Sequence, residues 1–282
     1  TVIQSVPRFC FPEGGAVVKS VKEEKTESFS FVSTLSDGNK RYGYCRRFFR
    51  VNKPPECYCL LSYSASFSLF SQLLDIVELK FSEGDKSVYT FLHSVLAQPF
   101  PDPGQTIQAQ TFQTIIRPDG TMDYLPETFR LTRSNDDYEY LEYTTYEKLF
   151  RSLDVDKIML IFECLLNERR ILLVAKTLTT LTSCMDAVSN MAYPFSWQYV
   201  FIPILPSTML SFLGAPMPFL IGILSASLDD ALKEPMEDGV LIVDIDNNEV
   251  LQAPDDLPDT MPPTATEKLR KSLKAAVMSE KR

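Results

Sequence analysis

AVSNMAYPFSWQYVFIPILPSTMLSFLGAPMPFLIGILSASL, residues 187–228, runs for 42 positions without Asp, Glu, Lys, Arg or His in a chain whose charged residues make up 23%. A membrane span needs only about 20 consecutive apolar residues, so length alone permits a crossing. The contents argue against it. Pro194, Pro203, Pro206, Pro216 and Pro218 interrupt the stretch, and lipid-exposed backbone broken that often leaves amides unpaired in hydrocarbon. The remaining reading is the interior of a soluble domain. Val200, Phe201 and Ile202, then Phe219, Leu220 and Ile221, form apolar runs bounded by Pro and Ser turns, the pattern of central strands covered on both faces.

The flanks extend this reading. Asp154 is placed to cap a helix over 154–167, whose polar positions Asp156, Glu163 and Asn167 form only a narrow stripe, so the helix is mostly buried. Arg169 and Arg170 follow at its negative end, as partners for carbonyls or carboxylates. Residues 171–175 (ILLVA) are a strand without alternation, and 178–192 a helix. Further strands are expected near Tyr199, Phe219 and Val240. Asp244 and Asp246 end the last of these, and Asn247 and Asn248 turn the chain back. Repeated βα units of this kind wind into a mostly parallel, three-layer α/β/α sheet. Beyond the Pro-rich stretch 254–263, a final amphipathic helix is expected over 264–278.

The first hundred residues carry their own pattern. Residues 29–35 (FSFVSTL) alternate, Asp37 and Gly38 read as a hairpin turn, and 40–46 return as a second strand. A third strand is expected over 57–63. Phe67, Phe70, Leu73, Leu74 and Val77 then line one face of a helix over 67–80 that lies on the sheet. Ser87 is placed to cap a second helix with Val88, Phe91, Leu92 and Val95 inward. From 98 to 140 the periodicity degrades amid Pro99, Pro101, Pro103, Pro118 and Pro126, which reads as an extended linker packed along the surface. The expected organisation is therefore an N-terminal lobe over 1–97, a linker over 98–140 and a C-terminal lobe from 141 to 282.

Composition removes several classes of function. Lys and Arg number 28 against 37 Asp and Glu, so a broad phosphate-backbone footprint is disfavoured and nucleic acid is not an expected partner. No basic segment followed by an apolar core marks the N-terminus for secretion, which gives a cytosolic setting by default, and a start at Thr suggests trimming. The six cysteines, Cys10, Cys45, Cys57, Cys59, Cys164 and Cys184, read as reduced core thiols in a chain too long to need a disulfide framework. The spacing of Cys57 and Cys59 suits neither a zinc knuckle nor a redox dithiol, although on a strand both sulfurs share one face. No Gly-rich phosphate loop, dinucleotide fingerprint or nucleophile elbow is present. The single histidine, His93, falls on the polar side of its helix, and Asp244 with Asp246 reads as a solvated strand end. No catalytic residue, metal or cofactor is expected.

Several long motifs in one order resemble the DENN module of Rab guanine-nucleotide exchange factors. They are FCFPEG at 9–14, FSFV at 29–32, RYGYCRR at 41–47, ERRILLV at 168–174, LTTL at 178–181, YPFSWQ at 193–198, IPILP at 202–206 and APMPFLIGI at 215–223. In detail they are most similar to the second animal DENN subfamily. The resemblance implies a longin-like N-terminal lobe with an antiparallel sheet, a linker, and a flavodoxin-like C-terminal lobe. It implies a Rab GTPase partner, GDP-bound or nucleotide-free, whose switch regions are bound across the two lobes, and peripheral residence on endosomal or Golgi-related membranes through that partner. Two departures stand out. Members usually continue into a further helical region, so the expectation here is truncation before it. The tryptophan motif commonly reads Trp-Gln-His, where this chain has Trp197, Gln198 and Tyr199.

Candidate contacts for the GTPase are the aromatic and proline loops of the uncharged stretch: Tyr193, Pro194, Phe195, Trp197 and Gln198, with Pro216 and Met217. Aromatics ringed by water-excluding contacts dominate interface energetics; the competing reading makes Trp197 and Phe195 core plugs. Phe67 and Phe70 at the start of the first lobe's main helix are further candidates, with core packing the competing reading. Besides exchange, two functions compete: a noncatalytic Rab-binding adaptor or scaffold, and a GTPase-activating protein using Arg41, Arg46 or Arg47.

Overall fold

A computed structural model of the protein describes residues 2–14, 23–34, 39–117, 119–135, 146–236, 239–257 and 261–280. The expected turn at Asp37 and Gly38 lies outside the described residues. The chain divides into two compact units, one of Thr1–Tyr63 with Thr144–Arg282, the other of Ser64–Tyr143.

The first unit opens with helix α1 (Val2–Cys10) and strands β1 (Lys25–Thr34), β2 (Lys40–Phe49) and β3 (Glu56–Ser62), which form an antiparallel sheet in sequence order. After the other unit come helices α4 (Glu147–Ser152) and α5 (Val155–Leu166), strand β6 (Ile171–Ala175), helix α6 (Leu178–Asn190) and strand β7 (Val200–Ile202). A 3₁₀ segment (Ser207–Gly214), strand β8 (Phe219–Leu224), helix α7 (Leu228–Ala231), strands β9 (Leu241–Asp244) and β10 (Glu249–Gln252), and helix α8 (Pro263–Glu280) complete it. Strand order in the second sheet is β10-β9-β6-β8-β7, parallel throughout except for β10.

Burial explains why the central strands lack alternation. Ile171, Leu173 and Ala175 enter one apolar cluster with Leu220, Leu241 and Val243, covered by α4, α5, α6 and by Phe9, Phe29 and Phe31 of the antiparallel sheet region. Leu172 and Val174 enter a second cluster with Phe219, Ile221, Ile223 and Ile242, covered by Leu210 and Leu213 of the 3₁₀ segment and Ala231 of α7. Both faces of β6 are dry, so both alternating sets must be apolar. Gly222 in β8 marks a close approach. A Cβ there would lie 2.3 Å from the Pro203 carbonyl oxygen, where the chain leaving β7 crosses and the Leu205 amide donates to the Gly222 carbonyl at 2.7 Å.

The second unit holds helices α2 (Phe67–Phe81) and α3 (Asp85–Leu96) with an antiparallel hairpin of β4 (Thr106–Ile116) and β5 (Met122–Thr132). Two expectations are corrected here. Residues 98–140 include a paired hairpin where an extended linker was expected; a two-stranded ribbon leaves each strand's outer side unpaired, so Pro126, opposite Phe112, does not break the ladder. Helix α3 starts after Gly84, whose φ of 108° needs glycine; Ser87 sits inside the first turn and donates to Glu83 at 2.9 Å. Lys80, buried on α2, donates to Glu83 (2.8 Å) and Glu127 (2.5 Å), joining helix to hairpin. Burial works to lower its pKa, but the hydrogen bonds it donates to the two carboxylates outweigh that and hold the ammonium above the usual lysine value.

Two outcomes follow for unit 1. Gly222→Ala is expected to cost about 2 kcal/mol in urea denaturation, because the Cβ meets fixed backbone, whereas Gly214→Ala, whose Cβ would have ordinary contact at 3.5 Å, shifts stability by no more than about 0.5 kcal/mol. Asp186 on α6 is half-buried, and burial pushes its carboxyl up to about 7. The folded protein then holds a proton that the unfolded chain releases near pH 4, so stability declines as pH rises from about 4 to 7 and stays lower above. Asp186→Asn is expected to match the parent at pH 4 and exceed it by about 2 kcal/mol at pH 8, the partial exposure discounted, in paired denaturation curves.

Candidate functional site

The two ends of the parallel sheet are built differently. In open α/β sheets ligands collect outside the carboxyl ends of the strands, and a helix N-terminus there accepts an anion. Here that place is taken by the protein itself. The Leu178 amide at the start of α6 donates to Glu27 Oε1 of β1 at 2.7 Å, and Thr179 donates to the Ser28 carbonyl at 2.8 Å. Glu27 Oε2 in turn receives Arg47 of β2 at 2.9 Å, and Arg47 also grips Glu13 at 2.9 Å. Nearby, Asp246 accepts from the Lys176 amide, and Asp244 accepts from the backbone (3.0 Å) and side chain (2.8 Å) of Asn247. These carboxylates cap backbone.

The amino ends are open and aromatic. Val200 pairs with Phe219, and Leu220 with Ile171, so the segments leading into β7, β8 and β6 emerge side by side. Those segments are 193–199, 215–218 and 168–170. Tyr193 is 54% exposed, Phe195 77% and Met217 49%; Pro194, Gln198 and Pro216 are exposed with them. Trp197 is half-buried against the core, its Nε1 donates to the Val200 carbonyl at 3.0 Å, and its ring meets Tyr199 edge-on at 5.5 Å. Of the two aromatics weighed as core plugs, Trp197 anchors the loop while Phe195 projects. Gln198 closes on Ser196, donating to its carbonyl at 3.0 Å and its hydroxyl at 2.6 Å.

A residue missed by sequence reasoning holds this end together. Helix α5 finishes in a paired turn in which the Arg169 amide donates to the Cys164 carbonyl (2.9 Å) and the Glu168 amide to that of Leu165 (3.1 Å). Glu168 takes φ 51°, left-handed backbone usually given to glycine. Its carboxylate accepts from the Tyr199 hydroxyl at 2.6 Å, and this hydrogen bond, with the adjacent charge, raises the phenol's pKa. A non-glycine residue at a helix end ahead of Arg169 and Arg170 was the only signal. Arg169 itself binds Asp256 at 3.0 Å.

Other candidates are placed elsewhere. Phe70 is buried in the second unit, its ring stacked on Phe100 at 6.2 Å, so it presents no contact surface, and Phe67 is half-buried. Arg47 is 4% exposed and locked by two carboxylates, and Arg46 is buried and donates to Ser28 at 2.9 Å. Arg41 lies over the Tyr63 ring at 3.2 Å. His93 is exposed, as expected. The cysteines divide into two sets. Burial raises Cys164 and Cys184 to about 12, which leaves them inert. Cys10, Cys45 and Cys59 come together, their sulfurs within 4.8 Å of one another, a gathering hidden in sequence because α1, β2 and β3 each supply one.

Family comparison adds to the geometry. A DENN (AEX-3) domain model matches residues 53–248 and a uDENN domain model matches residues 1–48. The chain is similar to human DENN domain-containing protein 2B, 39% identical over 98% of this chain and 23% of that protein. Human DENN domain-containing protein 2C is 39% identical over 93% of this chain and 27% of its own length. Human DENN domain-containing protein 2D is 33% identical over 96% of this chain and 56% of its own length. The chain thus spans about a quarter to a half of these relatives.

The left-handed backbone at Glu168 sets up an inverted ranking. Glu168→Ala keeps the strain and loses the Tyr199 bond, whereas Glu168→Gly loses the bond but relaxes the backbone. Thermal melts are expected to place the glycine variant about 1 kcal/mol above the alanine variant, the reverse of their order inside a helix.

Proposed function

The chain belongs to the DENN family, and on that premise we propose that it is a guanine-nucleotide exchange factor for a Rab-type small GTPase in membrane trafficking. The family match along both segments carries the reading, and the exposed aromatic end of the parallel sheet supports it. The partner is the GDP-bound or nucleotide-free GTPase. Its switch regions meet Tyr193, Pro194, Phe195, Gln198, Pro216 and Met217, while Trp197, braced by Glu168 through Tyr199, holds the loop that presents them.

Exchange of this kind needs no acid, base or nucleophile. The factor binds the switch regions more tightly when nucleotide and Mg²⁺ have left, and that differential affinity lowers the barrier to GDP release. Among the described residues no helix is long and apolar enough to cross a membrane; attachment to endosomal or Golgi-related membranes is through the GTPase. The burial of Arg46 and Arg47 speaks against a GTPase-activating role for either, since an arginine finger must reach the nucleotide.

Release of labelled GDP from a panel of Rab proteins, measured with the full-length protein, is the test. Acceleration for at least one Rab is expected, reduced about tenfold or more by Phe195→Ala with an unchanged melting temperature, because an exposed anchor contributes to binding and little to folding. Failure to accelerate any Rab sinks the proposal, and Rab binding without release, whatever the nucleotide, would point to the adaptor function instead.

A further inference from the structure

We propose that Cys10, Cys45, Cys57 and Cys59 form a structural zinc site that ties helix α1 to the antiparallel sheet. The four residues come from three elements. Cys10 is the last residue of α1, Cys45 lies in β2, and Cys57 and Cys59 lie two apart on β3, so their side chains share one face. Strand register sets Cys45 directly opposite Cys59.

The distances suit a thiophilic cation. Cys10 and Cys45 sulfurs are 3.9 Å apart, and with Cys59 all three lie within 4.8 Å. Zinc–sulfur bonds of about 2.3 Å in a tetrahedron separate the sulfurs by roughly 3.8 Å. A disulfide needs about 2.05 Å, so the Cys10–Cys45 pair is unbonded. Cys57 now leans on the Tyr58 carbonyl at 3.7 Å, and in the proposed site it turns toward the other three sulfurs to supply the fourth ligand. Four protein ligands make a closed site, which is the structural type, and soft thiolates select zinc over magnesium or calcium.

Hydrogen bonds from Cys45, Cys57 and Cys59 hold the Cys10 sulfur well below the usual thiol pKa, helped by the nearby Arg47 charge, while Cys57 and Cys59 are held well above it by their bonds to Cys10 and Cys45 is raised by burial. Zinc entry releases the thiol protons to solvent and replaces S–H···S contacts with four metal–sulfur bonds. Arg47, which donates to the Cys10 carbonyl at 3.3 Å, supplies positive charge beside the resulting anionic centre.

The whole chain, purified without chelator, is expected to carry about one zinc per molecule by elemental analysis, and to lose it in Cys45→Ser and Cys59→Ser but not in Cys184→Ser. Because the serine variants could fail to fold, the parent is also stripped and titrated with Co²⁺ under anaerobic conditions. Tetrahedral thiolate d–d bands that saturate at one equivalent and are bleached by zinc support the site. Absence of those bands in folded protein overturns it. So does a disulfide among these four residues in anaerobically prepared protein, read as the loss of two thiol hydrogens in the intact mass.

Discussion

Strand β6 has no wet face, and the rest of the first unit is arranged around that constraint. Its five residues send side chains alternately into two separate apolar clusters, and its backbone groups are paired on both sides by β8 and β9. A strand buried in this way tolerates no polar residue and no gap in its covering layers. Helices α4 to α6 and the aromatic face of the antiparallel sheet region close one side. The 3₁₀ segment and α7 close the other, with the chain at Pro203 drawn so close that only glycine fits at position 222. With both faces closed, the two ends of the sheet remain.

Those ends have opposite characters. At the carboxyl ends, Glu27 lies between the amide at the start of α6 and the Arg47 guanidinium, so the anion site offered by a helix N-terminus is filled by an internal carboxylate. A fold that in other settings receives a nucleotide is here shut by its own charges. At the amino ends the segments into β7 and β8 expose rings and prolines and carry no charged residue, and Glu168, leading into β6, orients Tyr199. An apolar, aromatic surface of this kind suits protein recognition.

Much of this architecture was legible because burial leaves periodicity in sequence. The uncharged, proline-interrupted stretch identified buried strands, and the helix expected at 154–167 is found at Val155–Leu166 with Asp154 at its cap position. The cap's chemistry was not legible: Asp154 Oδ2 accepts from Asn248 at 2.7 Å and Lys157 at 3.1 Å, and makes no bond to the helix backbone. The hairpin from Thr106 to Thr132 was hidden because its exposed strands carry apolar residues such as Phe112, Met122 and Leu125 outward, which blurs the two-residue alternation. The loop aromatics were recognised as a group, yet nothing local separated Trp197, which packs inward, from Phe195, which does not.

The sequence by itself determined which segments are buried and in what order they run, because the free energy of removing apolar surface from water depends on residue type and spacing alone. Only the tertiary structure decided what distant residues do together. It brought Glu27 to the start of α6, 151 positions away, set Glu168 against Tyr199, and gathered sulfurs from α1, β2 and β3. Hydrogen bonds, ion pairs and metal ligation act over a few ångströms and require specific geometry, and such distances between remote residues exist only once strand register and helix packing have been set.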